Sequence, residues 1–123
     1  MDIEVKRMAG GLAIIYLSGD LKTGSLKPFK AEISDLVQDG VQKIIVDCRE
    51  LGQISSSGLA ALMWARKAGG TIYLTHVSAL VSDVLDVTRL SRVLKIERTT
   101  RGLLEKLGAI RSSSRPQVRR TSS

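Results

Sequence analysis

Residues 53–59, Gln-Ile-Ser-Ser-Ser-Gly-Leu, set three adjacent hydroxyls and a glycine where an apolar strand hands over to a helix. A serine at a helix start faces N–H groups that lack intrahelical partners and the positive end of the helix dipole. Its hydroxyl can cap the helix, line an anion site or accept a phosphoryl group. Other reactive residue types are sparse. His76 is the single histidine and has no Cys or His beside it, so no metal site is expected. Cys48 is the single cysteine, stands at the end of an apolar run, and is expected to pack as a small apolar group. The chain has no Gly-x-Ser-x-Gly elbow and no phosphate-cradling glycine loop. It therefore reads as a protein without catalytic residues, cofactor or small-molecule substrate. Ser57, with Ser56 second, is the residue at which chemistry is expected.

The elements that must hold these serines follow from periodicity. Ile3-Glu4-Val5-Lys6-Arg7-Met8 alternates as a half-buried strand does, and Gly10-Gly11 turns the chain into the more apolar Leu12–Leu17. Ser18 to Ser25 reads as a loop ending in capping residues. A helix is expected next, with Leu26, Phe29, Ile33, Leu36 and Val37 on one face and Gly40 as its stop. The strand Lys43–Cys48 leads into the serine turn and a helix to about Ala68. Gly69-Gly70 ends that helix before the strand Thr71–Thr75. Ser78 caps a helix carrying Leu80, Val81, Val84, Leu85 and Val87; a short strand is expected at Val93–Ile96. Thr99 or Thr100 then opens a last helix closed by Gly108. The order β-β-α-β-α-β-α-β-α predicts an α/β domain over residues 1–110, with an N-terminal antiparallel hairpin and an otherwise parallel sheet.

A 123-residue chain that is 43% hydrophobic and 25% charged has the composition of one ordinary globular domain. Its net charge of +7 is concentrated at the C-terminus. Arg111, Arg115, Arg119 and Arg120 lie beyond the last acid, Glu105. Without them 15 basic and 12 acidic side chains remain. Residues 111–123 thus read as a basic, Ser/Arg-rich disordered tail. With four aromatic residues in the body there is no stacking platform, and nucleic acid is not expected as a partner. No apolar run approaches the roughly 20 residues of a membrane span, and Met1–Lys6 lacks the layout of a signal peptide. A cytoplasmic location without membrane insertion is expected, as a monomer or weak dimer.

The ordered run of motifs resembles the STAS domain family, shared by sulfate transporters and anti-sigma factor antagonists. The resemblance rests on Gly19-Asp20-Leu21-Lys22 after the second strand, on Ile45-Val46-Asp47-Cys48, and on Ser55-Ser56-Ser57-Gly58-Leu59 at a helix start. Gly69-Gly70, Ser78-Ala79 and the spacing from Leu85 to Leu90 extend it. Two positions depart from the family pattern: Ser55 and Lys22 stand where acids usually stand.

The resemblance implies an anti-sigma factor antagonist whose partners are an anti-sigma factor that is a serine kinase and an opposing Ser/Thr phosphatase. It implies phosphorylation at Ser57, with Ser56 the second choice. The implied partner surface comprises Asp20, Leu21, Lys22, Thr23, Ser55, Ser56, Ser57, Gly58, Leu59, Leu62 and Ser78. Gly58 is expected to leave room for a kinase's nucleotide phosphates. The alternative is a non-phosphorylated STAS regulatory subunit of a membrane transporter of the lipid ABC type.

Overall fold

The alternating N-terminal segment forms β1 (Asp2–Met8), paired antiparallel with β2 (Leu12–Leu21) from Met8↔Leu12 to Asp2↔Ser18. Gly10 and Gly11 make the turn with φ of 85° and 74°, which glycine adopts without a β-carbon penalty. A short 3-10 turn (Thr23–Ser25) leads into α1 (Leu26–Gln38), followed by β3 (Lys43–Ile54), α2 (Ser56–Ala68) and β4 (Thr71–Thr75). Next come α3 (Ala79–Val87), a 3-10 turn (Leu90–Arg92), β5 (Lys95–Glu97) and α4 (Thr100–Lys106). This computed structural model describes residues 1–110; the expected tail, 111–123, lies outside the described residues.

The five strands lie in the order β1-β2-β3-β4-β5, all pairs after the hairpin being parallel. Successive side chains on a strand face opposite sides, and here both sides are covered. On one, Ala13, Ile15, Leu17, Ile44, Val46 and Leu74 pack with Phe29, Ile33 and Leu36 of α1, Leu59 and Leu62 of α2, and Leu85 of α3. On the other, Leu12, Ile14 and Ile45 pack with Leu103 and Leu104 of α4. This two-sided burial makes β2 and β3 read as nearly continuous apolar runs.

The expected element order is the observed one, but three boundaries move. Ser18–Leu21, expected as a loop, continues β2, and β3 runs to Ile54 rather than ending at Cys48. The two extensions exist because of each other. They pair as Ser18↔Glu50, Gly19↔Leu51, Asp20↔Gln53 and Leu21↔Ile54, across register shifts between Tyr16 and Ser18 and between Gly19 and Asp20. Polar, glycine-containing segments that read as turns thereby satisfy their backbone groups on one another. Val93 and Leu94 follow the 3-10 turn and lie outside the last strand, which forms at Lys95–Glu97.

Candidate functional site

The extended β2–β3 pair carries the site. Its last rung, Leu21↔Ile54, sets the Leu21 carbonyl beside the start of α2. The Ser55 N–H donates to that carbonyl at 3.0 Å, and the Ser55 hydroxyl donates to it at 3.4 Å. Ser55 is the N-cap: its Oγ accepts the Gly58 N–H at 3.2 Å, from an extended backbone (φ −91°, ψ 173°). The hydroxyl nearest the strand is thus used structurally. Ser55 stands where the family pattern has an acid, and it still supplies the oxygen that a cap needs.

Gly58 packs against the same carbonyl. A β-carbon there would come within 2.5 Å of the Leu21 oxygen and 2.8 Å of Cγ1 of Ile54. The glycine is buried and lets helix and strand meet at their closest point. Room for the protein's own backbone is thus a structural reason for Gly58.

Ser56 and Ser57 occupy the first two positions of α2. Ser56 is exposed. Ser57 is half-buried, and its Oγ lies 3.2 Å from Oγ1 of Thr23, at the head of the 3-10 turn after β2. The first turn of α2 holds no acidic residue, and Arg66 and Lys67 occupy its last turn. The positive end of its dipole is therefore not offset by a side chain of the helix. Lys22, adjacent to Thr23, is exposed and adds a cation on the same turn. A phosphoryl group on Ser57 would thus arrive at a helix start with no acid in its first turn, beside a hydroxyl.

The remaining expected contact residues divide by burial. Leu21, Leu59 and Leu62 are core residues of the sheet–helix face. Asp20 is half-buried with its carboxylate over Gly52, where a β-carbon would lie 2.9 Å from Oδ1. Its carbonyl accepts the Ser25 hydroxyl at 2.8 Å, so Ser25 does not cap α1 with its side chain. Ser78 caps α3, accepting the Val81 N–H at 3.2 Å. Between the end of β3 and α3 runs a shallow groove of about 250 Å³ lined by Gln53, Ile54, Leu80, Val81 and Val84. The solvent-facing part of the expected surface is Lys22, Thr23, Ser56, Ser57 and Ser78, with this groove beside it.

Cys48 is buried on the helix-rich face, as expected. Burial first, and the Asp47 charge second, push its thiol from an ordinary 9.0 up to about 12, far from the reactive range. Trp64 packs between helices, with Nζ of Lys30 on α1 lying 5.4 Å from its ring centroid.

A second polar cluster went unread in the sequence. Asp47, only 3% exposed, accepts the Thr100 hydroxyl at 2.7 Å and the Arg49 N–H at 2.9 Å. Thr75 lies 2.6 Å from Thr100, and Nε2 of His76 receives the Arg49 guanidinium at 2.8 Å. An acid near the end of an apolar strand looks like a solvated strand end. The sign that could have marked it is Thr75 at the end of the next strand, in register with Asp47.

Comparison with known proteins adds a family and a set of folds. A family model described as "Mlab, STAS domain" matches residues 5–97. The anti-sigma factor antagonist SpoIIAA in its unphosphorylated form superposes with a TM-score of 0.77 at 19% identity, covering 90% of this chain and all of that one. The phosphorylated form of the Bacillus protein gives 0.69 at 19%, covering 86% and 99%. An anti-sigma factor antagonist from Mycobacterium paratuberculosis gives 0.78 at 15%, covering 87% and 93%. A sulfate transporter family protein from Wolinella succinogenes gives 0.71 at 19%, covering 84% and 89%. At these identities the likeness is one of fold.

Proposed function

The chain belongs to the STAS domain family, and from that premise we propose that it is an anti-sigma factor antagonist switched by phosphorylation of Ser57. In the unphosphorylated state the surface formed by Lys22, Thr23, Ser56, Ser57 and the groove along α3 binds an anti-sigma factor that is itself a serine kinase. The Ser57 oxygen attacks the terminal phosphorus of a nucleoside triphosphate held by that partner. The nucleoside diphosphate departs and the hydroxyl proton passes to a base of the partner. A Ser/Thr phosphatase returns the serine. The protein works in the cytoplasm.

The observation that carries this reading is the division of labour among three consecutive hydroxyls. Ser55 is committed to the cap and to Leu21, whereas among the described residues the Ser57 hydroxyl meets another hydroxyl, that of Thr23. A phosphoryl group there adds about −1.5 to −2 charges without removing a cap. The switch then acts on the partner surface and leaves the fold in place.

A second reading is supported by the fold likeness to a sulfate transporter family protein and by the missing acids at Lys22 and Ser55. In it the same surface docks permanently on a subunit of a membrane transporter, and no phosphate is added.

One experiment separates them. The protein is incubated with its cognate kinase-fold partner and nucleotide, then weighed intact. The switch reading expects a one-phosphate mass increase that Ser57→Ala abolishes. It also expects Ser57→Asp to weaken partner binding at least tenfold, about 1.4 kcal/mol, while Ser57→Ala retains it. No mass change, with equal binding by all three proteins, overturns it in favour of constitutive docking.

A further inference from the structure

His76, directly after β4, holds a left-handed backbone with φ of 54°, a conformation uncommon for a non-glycine residue. Its N–H donates to the Arg98 carbonyl at 3.0 Å. The turn directs Nε2 toward two groups at once: the Arg49 guanidinium at 2.8 Å and the backbone N–H of Thr100, the first residue of α4, at 3.1 Å. Both are donors and neither can accept. Nε2 must therefore accept from both, which requires a neutral ring with its proton on Nδ1. The Thr100 side chain is held in parallel. Its single hydroxyl hydrogen goes to Oδ2 of Asp47, so it accepts from Thr75.

The helix secured in this way is the shortest of α1 to α4. α4 has seven residues and buries two leucines, Leu103 and Leu104, over Leu12, Ile14 and Ile45. A helix of that length does not persist without tertiary support. The hold on its first turn, which the Thr99 cap shares, therefore supports the cover that Leu103 and Leu104 give this face of the sheet.

We propose that His76 is a proton-sensitive clasp on α4. With the ring neutral, Nε2 ties the first N–H of α4 to the end of β4 and to Arg49. With the ring protonated, an N–H and a positive charge face two donors, one of them cationic. The clasp then opens, and α4 loosens from Leu12, Ile14 and Ile45. The charged groups around it are Arg49 and, 4.0 Å from that guanidinium, Asp47. Asp2 and Glu4 of β1 and Glu50 of β3 line one open groove with Arg49. From the α4 side, Lys106 pairs with Glu97 and Arg101 with Glu105.

Because the chain has one histidine, imidazole nitrogen NMR reads its tautomer without ambiguity. The clasp requires Nδ1–H at about pH 8. Amide exchange of α4, corrected for intrinsic rates and compared with α2, should lose about tenfold in protection between about pH 8 and about pH 5. His76→Gln, whose Oε1 accepts from both donors at either pH, should show no such loss. The carboxylates of Asp2, Glu4, Asp47 and Glu50 are common to both proteins, so their titration appears in both. Should Gln fold poorly at positive φ, His76→Asn, a residue enriched in that region, removes the titrating ring without reaching both donors, so α4 protection should be lowered at both pH values and show no such loss between them. An Nε2–H tautomer, or the same pH response in wild type and variant, overturns the proposal.

Discussion

The hydroxyl oxygens of Thr23 and Ser57, 34 positions apart in sequence, lie 3.2 Å apart across the seam between β2 and α2. One hydroxyl donates and the other accepts, so Thr23 restricts the rotamer of the serine on which the proposed phosphorylation depends. Lys22 stands beside it where the family pattern has an acid.

Thr23→Val tests that contact. The side chain is exposed, so stability should change by no more than about 0.5 kcal/mol. The rate of phosphoryl transfer to Ser57 at saturating partner should fall about tenfold, since a freely rotating acceptor is seldom aligned. Thr23→Ser should restore it. Single-turnover kinetics with intact-mass detection reads the rate; equal rates for all three proteins would dismiss a positioning role.

The Leu21 carbonyl beside Gly58 makes a stability prediction. Gly58→Ala sets a methyl 2.5 Å from a backbone oxygen that two Ser55 donors also hold, so neither side can give way cheaply. A loss of roughly 1–3 kcal/mol is expected in urea unfolding. An unchanged midpoint would show that α2 shifts freely against β2.

Ser55 and Ser56 should separate in the same assay. Ser55→Ala removes the cap of α2 and should cost about 1 kcal/mol. Ser56→Ala, at an exposed position, should stay within about 0.5 kcal/mol. Similar losses for both would contradict the assignment of Ser55 as the cap.

Cys48 gives an alkaline signature. Its thiol is raised in the folded state to about 12 from an ordinary 9.0, first by burial and then by the Asp47 charge. Below about pH 9 folded and unfolded chains both keep the proton, and stability does not depend on this group. Between about 9 and about 12 the unfolded chain gives up the proton and the folded chain keeps it. Stability should therefore fall there by about 1.4 kcal/mol per pH unit. Cys48→Ala should flatten that slope, whatever small cavity it introduces. An identical slope in both proteins would assign the alkaline loss to other groups.

Much of this molecule was legible in one dimension because its information is local. The alternation in Ile3–Met8, the spacing of Phe29, Ile33 and Leu36, and glycines at 10–11 and 69–70 each set an element through neighbours a few residues away. The serine run at the head of a helix was legible for the same reason: a cap is a contact between Ser55 and Gly58, three residues on. The family resemblance added the order of motifs.

Tertiary structure alone decided what each of those residues does. Ser18–Leu21 and Arg49–Ile54 have no strand signal of their own and are strands only by pairing with each other. That pairing carries Leu21 to Gly58 and Thr23 to Ser57, and so distributes cap, packing and candidate acceptor among three serines and a glycine. The Asp47 cluster is more distant still, drawn from β3, β4 and the start of α4. Periodicity reports which face of an element is apolar, because burial repeats along the chain. It carries nothing about which two polar groups, tens of residues apart, a sheet register will bring within hydrogen-bonding distance.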